Sequence, residues 1–269
     1  MKNILVLGAN GMLGYAISKY FIAKGFNVTP ITRIEFDIAK ESIDNFKLIL
    51  NNIDIVINCA GIIKPMIKQT TIEDVLRVNS IFPRNLAKIC SCSNILCFHI
   101  TTDCVFSGRK GKYTENDLFD ADDIYGMSKN AGETLECMTL RTSIVGEEKD
   151  KKKSLLEWAR SNAGKEVYGF INHYWNGLTT VYLAEIIEII INRNLYIKDI
   201  FHIHSQTTMN KYELLSLIND IYKLNLSIKP IEAPERIDRS LNTCKSLLKV
   251  ITIKTLKQQI EEMRSFFRN

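Results

Sequence analysis

Hydrophobic positions in the first half of the chain follow two alternating rhythms. Short β-type runs of strand length lie at 4–7, 26–31, 53–58, 96–101 and 138–143, and the first is continuously apolar. Such runs suit strands buried on both faces. Between them, apolar residues recur at helical spacing. The first such stretch starts at Gly11, carries Leu13, Ala16, Ile17, Tyr20 and Phe21, and is ended by Gly25. Further helices are predicted at 43–50, 75–90 and 125–136, and Pro83 fits its helix only as a kink or a break. Strands alternating with helices predict an α/β fold with a doubly wound parallel sheet and right-handed crossovers.

After Gly146 the rhythm loosens. Helices are predicted at 154–163, 180–192, 211–222 and 255–267, with a strand at 200–204. The expected division is a first unit over 1–145, completed by about 178–204, and a smaller C-terminal lobe from 146–177 and 205–269. The apolar run at 186–191 is too short to span a bilayer. The run at 4–7 leads into glycines with no cleavage-site pattern, so neither a signal peptide nor a membrane anchor is expected.

Composition narrows the class. Of 269 residues, 46% are apolar and 24% charged, as in an ordinary globular enzyme. The net charge of +5 comes partly from Lys149 and 151–153, and from Lys254, Lys257, Arg264 and Arg268. These read as solvated faces and a loop. No basic stripe interleaved with aromatics appears, so neither nucleic acid nor membrane is an expected partner. A weak positive field suits an anionic substrate. Seven scattered cysteines form no Cys-x-x-Cys pair, which argues for a reducing, cytoplasmic compartment and no metal. His202 and His204 face one side of a strand without a third ligand and are expected to be structural.

The segment Gly8-Ala9-Asn10-Gly11-Met12-Leu13-Gly14 follows a strand and opens a helix. That context makes it a dinucleotide-binding loop on a Rossmann-type sheet. Gly8 permits the tight turn, Gly11 the approach of a diphosphate, and Gly14 close helix–strand packing. Free N–H groups at the helix start then meet the anion. Arg33 stands at the end of the second strand, where an NAD-selective site often has an acid, so it is expected to pair with the 2′-phosphate of NADPH. NADH is kept as the alternative reductant. Asp37 and Ile38 should pass the adenine, and Cys59, Ala60 and Gly61 should let the backbone touch the cofactor at the third strand's carboxyl end.

Tyr125 and Lys129 are four residues apart, so a helix places both on one face. The phenol can deliver a proton to a carbonyl oxygen, and a close cation would favour its ionised form. Lys129 can also hold the nicotinamide ribose. Thr101 and Thr102 end the strand before this helix, and the Thr102 hydroxyl can orient Tyr125 and the substrate oxygen.

With these motifs in place the chain resembles the extended short-chain dehydrogenase/reductases. More closely it is similar to the dTDP-4-dehydrorhamnose reductase family. The likeness rests on 8–14, 58–61, 101–108, 113–115, 125–133, 140–142 and, more loosely, 239–241. It implies NAD(P)H-driven reduction of a 4-keto-6-deoxyhexose carried on a nucleoside diphosphate, with Thr102, Tyr125 and Lys129 as the catalytic set. It also puts Asp103, Cys104, Val105 and Phe106 on the substrate side. Cys104 replaces the family's usual tyrosine, and 62–65 and 176–180 also depart from its pattern. Related dehydratases carry an Asp-Glu pair after the threonine, so Cys104 disfavours net dehydration. A nucleotide-sugar epimerase and a non-catalytic NADP-binding sensor remain as alternatives.

The sugar pocket is expected to draw on Trp158, Trp175 and Asn176, because aromatic faces and amides suit a hexose ring. Arg239 is expected to meet the diphosphate. A homodimer is compatible with the sequence, and nothing in it selects the hexose or the base.

Overall fold

A computed structural model describes residues 2–149 and 153–268, so Lys151 and Lys152 of the basic group lie outside the described residues. The central sheet has six parallel strands: β1 (Asn3–Leu7), β2 (Asn27–Ile31), β3 (Ile55–Asn58), β4 (Leu96–Thr102), β5 (Met138–Thr142) and β6 (Asp199–His202). Their order is β6-β5-β4-β3-β1-β2, a doubly wound arrangement that reverses direction at β1. Ligands bind at such a reversal, outside the carboxyl ends of the strands.

The continuous apolar run of β1 has the predicted cause. In β1, Ile4 and Val6 join a core with α1 (Met12–Ala23), whereas Leu5 and Leu7 face the opposite core with Phe46 and Phe82. The second core lies under α2 (Ile43–Ile49) and α3 (Phe82–Cys92). The first is closed by α5 (Thr180–Asn192) and α7 (Leu256–Arg268).

Two helices differ from expectation. Pro83 stands at the start of a helix rather than inside one. A π-helical stretch, Arg77–Ile81, joins Ile72–Leu76 to α3 and places the proline in the first turn of α3. A proline offers no N–H, and the first turn of a helix does not require one. Helix α4 (Ile124–Gly132) stops short of 136, because Glu133 turns extended. Its carboxylate receives the Arg141 guanidinium at both oxygens, at 3.0 and 2.5 Å.

Beyond α4, the later segments pair in short strands the periodicity did not reveal. Glu166–Phe170 runs parallel to Ser227–Ile231. His173–Trp175 lies between Met209–Asn210 and Ile237–Asp238. Helix α6 (Lys211–Tyr222) packs on these strands, its start held by a capping box between Asn210 and Glu213. Among the described residues all seven cysteines are free, no metal-competent cluster occurs, and no helix is long and apolar enough to cross a membrane.

Arg141 ties these parts together. It is 1% exposed, bonds Glu133, and donates to His202 Nε2 at 2.5 Å. His202 Nδ1 faces the carbonyl oxygens of Asn242 and Tyr113 at 2.7 and 3.0 Å. With Nε2 accepting, Nδ1 carries the proton and the ring is neutral. Burial, with the Arg141 charge beside it, lowers its pKa from 6.5 to about 4. The unfolded chain therefore binds this proton more tightly than the folded one. The resulting stability is complete above pH 6.5 and is lost as the pH falls toward about 4. Urea titrations at several pH values should show a loss of about 3 kcal/mol across that window. A His202→Gln variant should flatten the slope, and an equal slope in both proteins would remove His202 as its cause.

Candidate active site

Strand register brings the predicted loops to one edge. Leu7 pairs with Asn58, Asn58 with His99, and Thr102 with Thr142, so the glycine loop, 59–61 and Thr102 all leave the sheet at its carboxyl ends. Gly8 has φ +73°, and a Cβ there would lie 2.9 Å from the Ala60 backbone. At Gly14 a Cβ would lie 2.2 Å from the Gly8 carbonyl oxygen. Any side chain at either glycine would separate the loop from its neighbours. Gly11 donates to Gly8 O at 2.8 Å and caps α1 without a side-chain bond, and the first turn holds no acid. The turn of Asn10, Met12 and Leu13 thus ends in a helix start that no side chain caps, a fit for a diphosphate.

The end of β2 is mixed. Arg33 is exposed, with its Nε 4.0 Å from Asp37. Sequence reasoning missed Glu35, whose carboxylate accepts the Thr32 N–H and hydroxyl at 2.7 and 2.5 Å. Those hydrogen bonds hold its pKa below the usual value. An acid and a guanidinium therefore stand at the same strand end. Ile38 packs toward the small core of Ala39, Ile62, Val75 and Val78.

Helix α4 is brought to the sheet edge by its glycines. A Cβ on Gly126 would lie 2.3 Å from the Cys104 carbonyl oxygen, and one on Gly132 2.0 Å from that of Asn79. Asn79, also missed from sequence, bonds both the N–H and the carbonyl of Ile62 and donates to Ser128 Oγ. Ser80 donates to the Ser128 carbonyl. These bonds fix α4, and with it Tyr125 and Lys129, against the loop after β3.

Tyr125 is half-buried. Burial raises its pKa above the ordinary phenol value, Cys104 and the Asp103 carboxyl add to this, and the Thr102 hydroxyl opposes it. The expected Lys129 effect on Tyr125 is not among these influences. Lys129 instead donates to the Ile100 carbonyl at 3.0 Å, near Gly61 and Cys59. Burial lowers its pKa from 10.5 to about 8. The Thr101 hydroxyl is buried without a partner among the described residues, and Thr102 donates to Asp103 Oδ1 at 3.1 Å.

Asp103 is buried, which raises its pKa, while Arg239 and Lys211 pull it down. Cys104 is pushed up to about 12, chiefly by burial. Arg239 donates to the Phe106 carbonyl at 2.8 Å. Trp175 donates its indole N–H to Ser143 Oγ at 2.7 Å, at the carboxyl end of β5.

Four expected substrate contacts are placed otherwise. Val105 and Phe106 are fully buried in a small core with Tyr113 and Leu241, which leaves their side chains no face for a ligand. The Asn176 amide is spent on Leu241, accepting its N–H at 2.9 Å and donating to its carbonyl at 2.7 Å. Trp158, 41% exposed, sits on the separate helix Leu155–Ser161. Neither residue type nor the family resemblance behind these choices reveals which way a side chain points.

A Gly126→Ala substitution should destabilise the protein by about 1–3 kcal/mol, since the clash is with backbone. It should also lift Tyr125 away from Thr102. Urea denaturation checks the first effect, and wild-type stability would show that α4 is not held by this approach.

The RmlD substrate binding domain family model matches residues 1–266. A dTDP-4-dehydrorhamnose reductase of Mycolicibacterium smegmatis is 35% identical over 134 residues, covering 49% of this chain and 40% of that protein. The chain thus spans less than half of that relative in the match. One from Aggregatibacter actinomycetemcomitans is 26% identical over 93% of this chain and 92% of its own. The crystal structure of dTDP-4-dehydrorhamnose reductase from Bacillus anthracis in complex with NADP superposes with a TM-score of 0.82 at 20% identity, covering 100% of both chains. That likeness concerns the fold, and the family model covers nearly the whole sequence: the chain belongs to the RmlD substrate binding domain family.

Proposed function

We propose that the protein is an NADPH-dependent reductase of a nucleoside-diphosphate 4-keto-6-deoxyhexose, serving the synthesis of deoxysugar precursors. The observation that carries this reading is the convergence of Thr102, Tyr125 and Lys129 at one sheet edge, beside a helix start that no side chain caps. The family relatives named dTDP-4-dehydrorhamnose reductase support the substrate class. The absence of a glutamate at position 104 supports reduction over dehydration.

In this reading Gly8, Gly11 and Gly14 hold the diphosphate of the cofactor, and Arg33 swings from its loose pair with Asp37 to the 2′-phosphate. Glu35 nearby keeps NADH as a weaker second reductant. Lys129 holds the nicotinamide ribose. When bound, a reduced nicotinamide supplies hydride to C4. Tyr125 then gives its proton to the carbonyl oxygen, and Thr102 donates to that oxygen and orients it. The raised pKa of Tyr125 suits this role, because the phenol stays protonated at neutral pH until the oxygen takes up charge. The seven free cysteines support a reducing cytoplasmic setting.

With dTDP-4-keto-6-deoxyglucose and NADPH, followed by loss of nicotinamide absorbance, Tyr125→Phe should lower kcat about a hundredfold or more while NADPH still binds. An unchanged rate would refute the assignment. Consumption of NADPH also separates a reductase from an epimerase, which shows no net oxidation, and from a sensor, which shows no turnover. In the same assay Arg33→Ala should raise the KM for NADPH about tenfold and leave that for NADH little changed. Equal effects on both cofactors would remove Arg33 from the 2′-phosphate.

A further inference from the structure

Lys211 opens helix α6, and its ammonium stands 5.4 Å over the Trp175 ring. The other side of that connection is the reaction edge. Trp175 is bonded to Ser143, the residue after Thr142, and Thr142 is the sheet partner of Thr102. The ammonium makes no hydrogen bond or ion pair with another described residue, in contrast to Arg239, whose Nε donates to the Phe106 carbonyl.

This is a costly place for an unpaired cation. A half-buried ammonium loses water without a compensating acceptor. The first turn of a helix also carries a partial positive charge, which favours anions over lysine. A structural role would ordinarily supply an ion pair within reach. Here the charge instead acts on Asp103 and Cys104, the two residues that follow Thr102, and burial lowers the Lys211 pKa.

We propose that Lys211 is a specificity-determining residue that donates a hydrogen bond to a ring hydroxyl of the hexose, on the sugar edge beside the carbon being reduced. The proposal rests on the nucleotide-sugar reading above. Asp103 and Lys211, whose charges act on each other, supply an acceptor and a donor, which matches a hydroxyl, itself both donor and acceptor. A carboxylate there would face Asp103. The diphosphate is left to Arg239, which is anchored to Phe106 and packs on Gly108, further along the same loop.

The chain has two tryptophans, so a Trp158→Phe background leaves Trp175 as the only one. Its fluorescence, under the Lys211 ammonium, reports binding without turnover. dTDP-glucose and UDP-glucose are titrated, each beside its free diphosphate, dTDP or UDP. Lys211→Met should weaken the nucleotide sugar about tenfold or more, the worth of a hydrogen bond to a charged group. The free diphosphate should bind as before, which also shows that the variant is folded. Lys211→Arg should recover most of the affinity. In turnover, the sugar KM should rise about as much while kcat stays within about threefold. Equal weakening of the sugar and the free diphosphate, or no change in either, would overturn the proposal. A wild-type protein that binds these ligands yet never oxidises NADPH would refute the reductase reading and leave the Lys211 contact standing.

Discussion

The buried guanidinium of Arg141 sits where strand, helix and C-terminal loops meet. It lies 4.9–5.2 Å from the Phe119 and Phe106 rings, pairs with Glu133 and leans on His202. A charge so deep is tolerable only when every partner is in place, and removing one partner of such a pair costs about 3–5 kcal/mol. Each partner comes from a different part of the chain. Glu133 ends α4, His202 ends β6, and the carbonyls behind His202 belong to Tyr113 and Asn242. Glu115 reinforces the same junction, accepting from the His202 N–H, the Thr243 hydroxyl and the Cys244 N–H. Docking α4 correctly and closing the C-terminal segment over the sheet are thus parts of one electrostatic condition.

From that anchor the active edge follows by close approach. Gly132 and Gly126 let α4 touch the Asn79 and Cys104 carbonyls, and these contacts at its two ends set its height above the sheet. Asn79 then locks the loop after β3 to the same helix through Ile62 and Ser128. The same economy recurs at the dinucleotide loop, where Gly14 meets the Gly8 carbonyl and Gly8 meets Ala60. Tyr125 and Lys129 depend on backbone contacts that a single methyl group would open. Their environments then diverge. Burial keeps Tyr125 protonated, while it brings Lys129 to about 8.

Local pattern carried much of this. The run 4–7 is apolar on every residue because both sheet faces are covered, and a two-sided burial leaves that mark directly in the sequence. The glycine loop and the Tyr125/Lys129 spacing were legible because each is a short-range geometric requirement. The strands at 166–170 and 227–231 were not. In 166–170 the exposed positions carry Tyr168 and Phe170 and a buried one is Gly169, and 227–231 is mostly exposed, so neither shows a hydrophobic alternation in sequence. The end of α4 was misjudged because Glu133 leaves the helix to meet Arg141, a residue it reaches only in the folded sheet.

The sequence alone determined the parallel sheet, the dinucleotide loop and the three residues proposed for proton transfer, since period and spacing are local properties. Only the tertiary structure decided which side chains around them are free to act. It buried Val105 and Phe106, spent Asn176 on Leu241 and left Trp158 on an outer helix. It also brought Lys211, with no ion partner among the described residues, over Trp175. The physical reason is that a hydrogen bond or a buried face belongs to a pair of elements distant in sequence. Residue type supplies only the capacity for it.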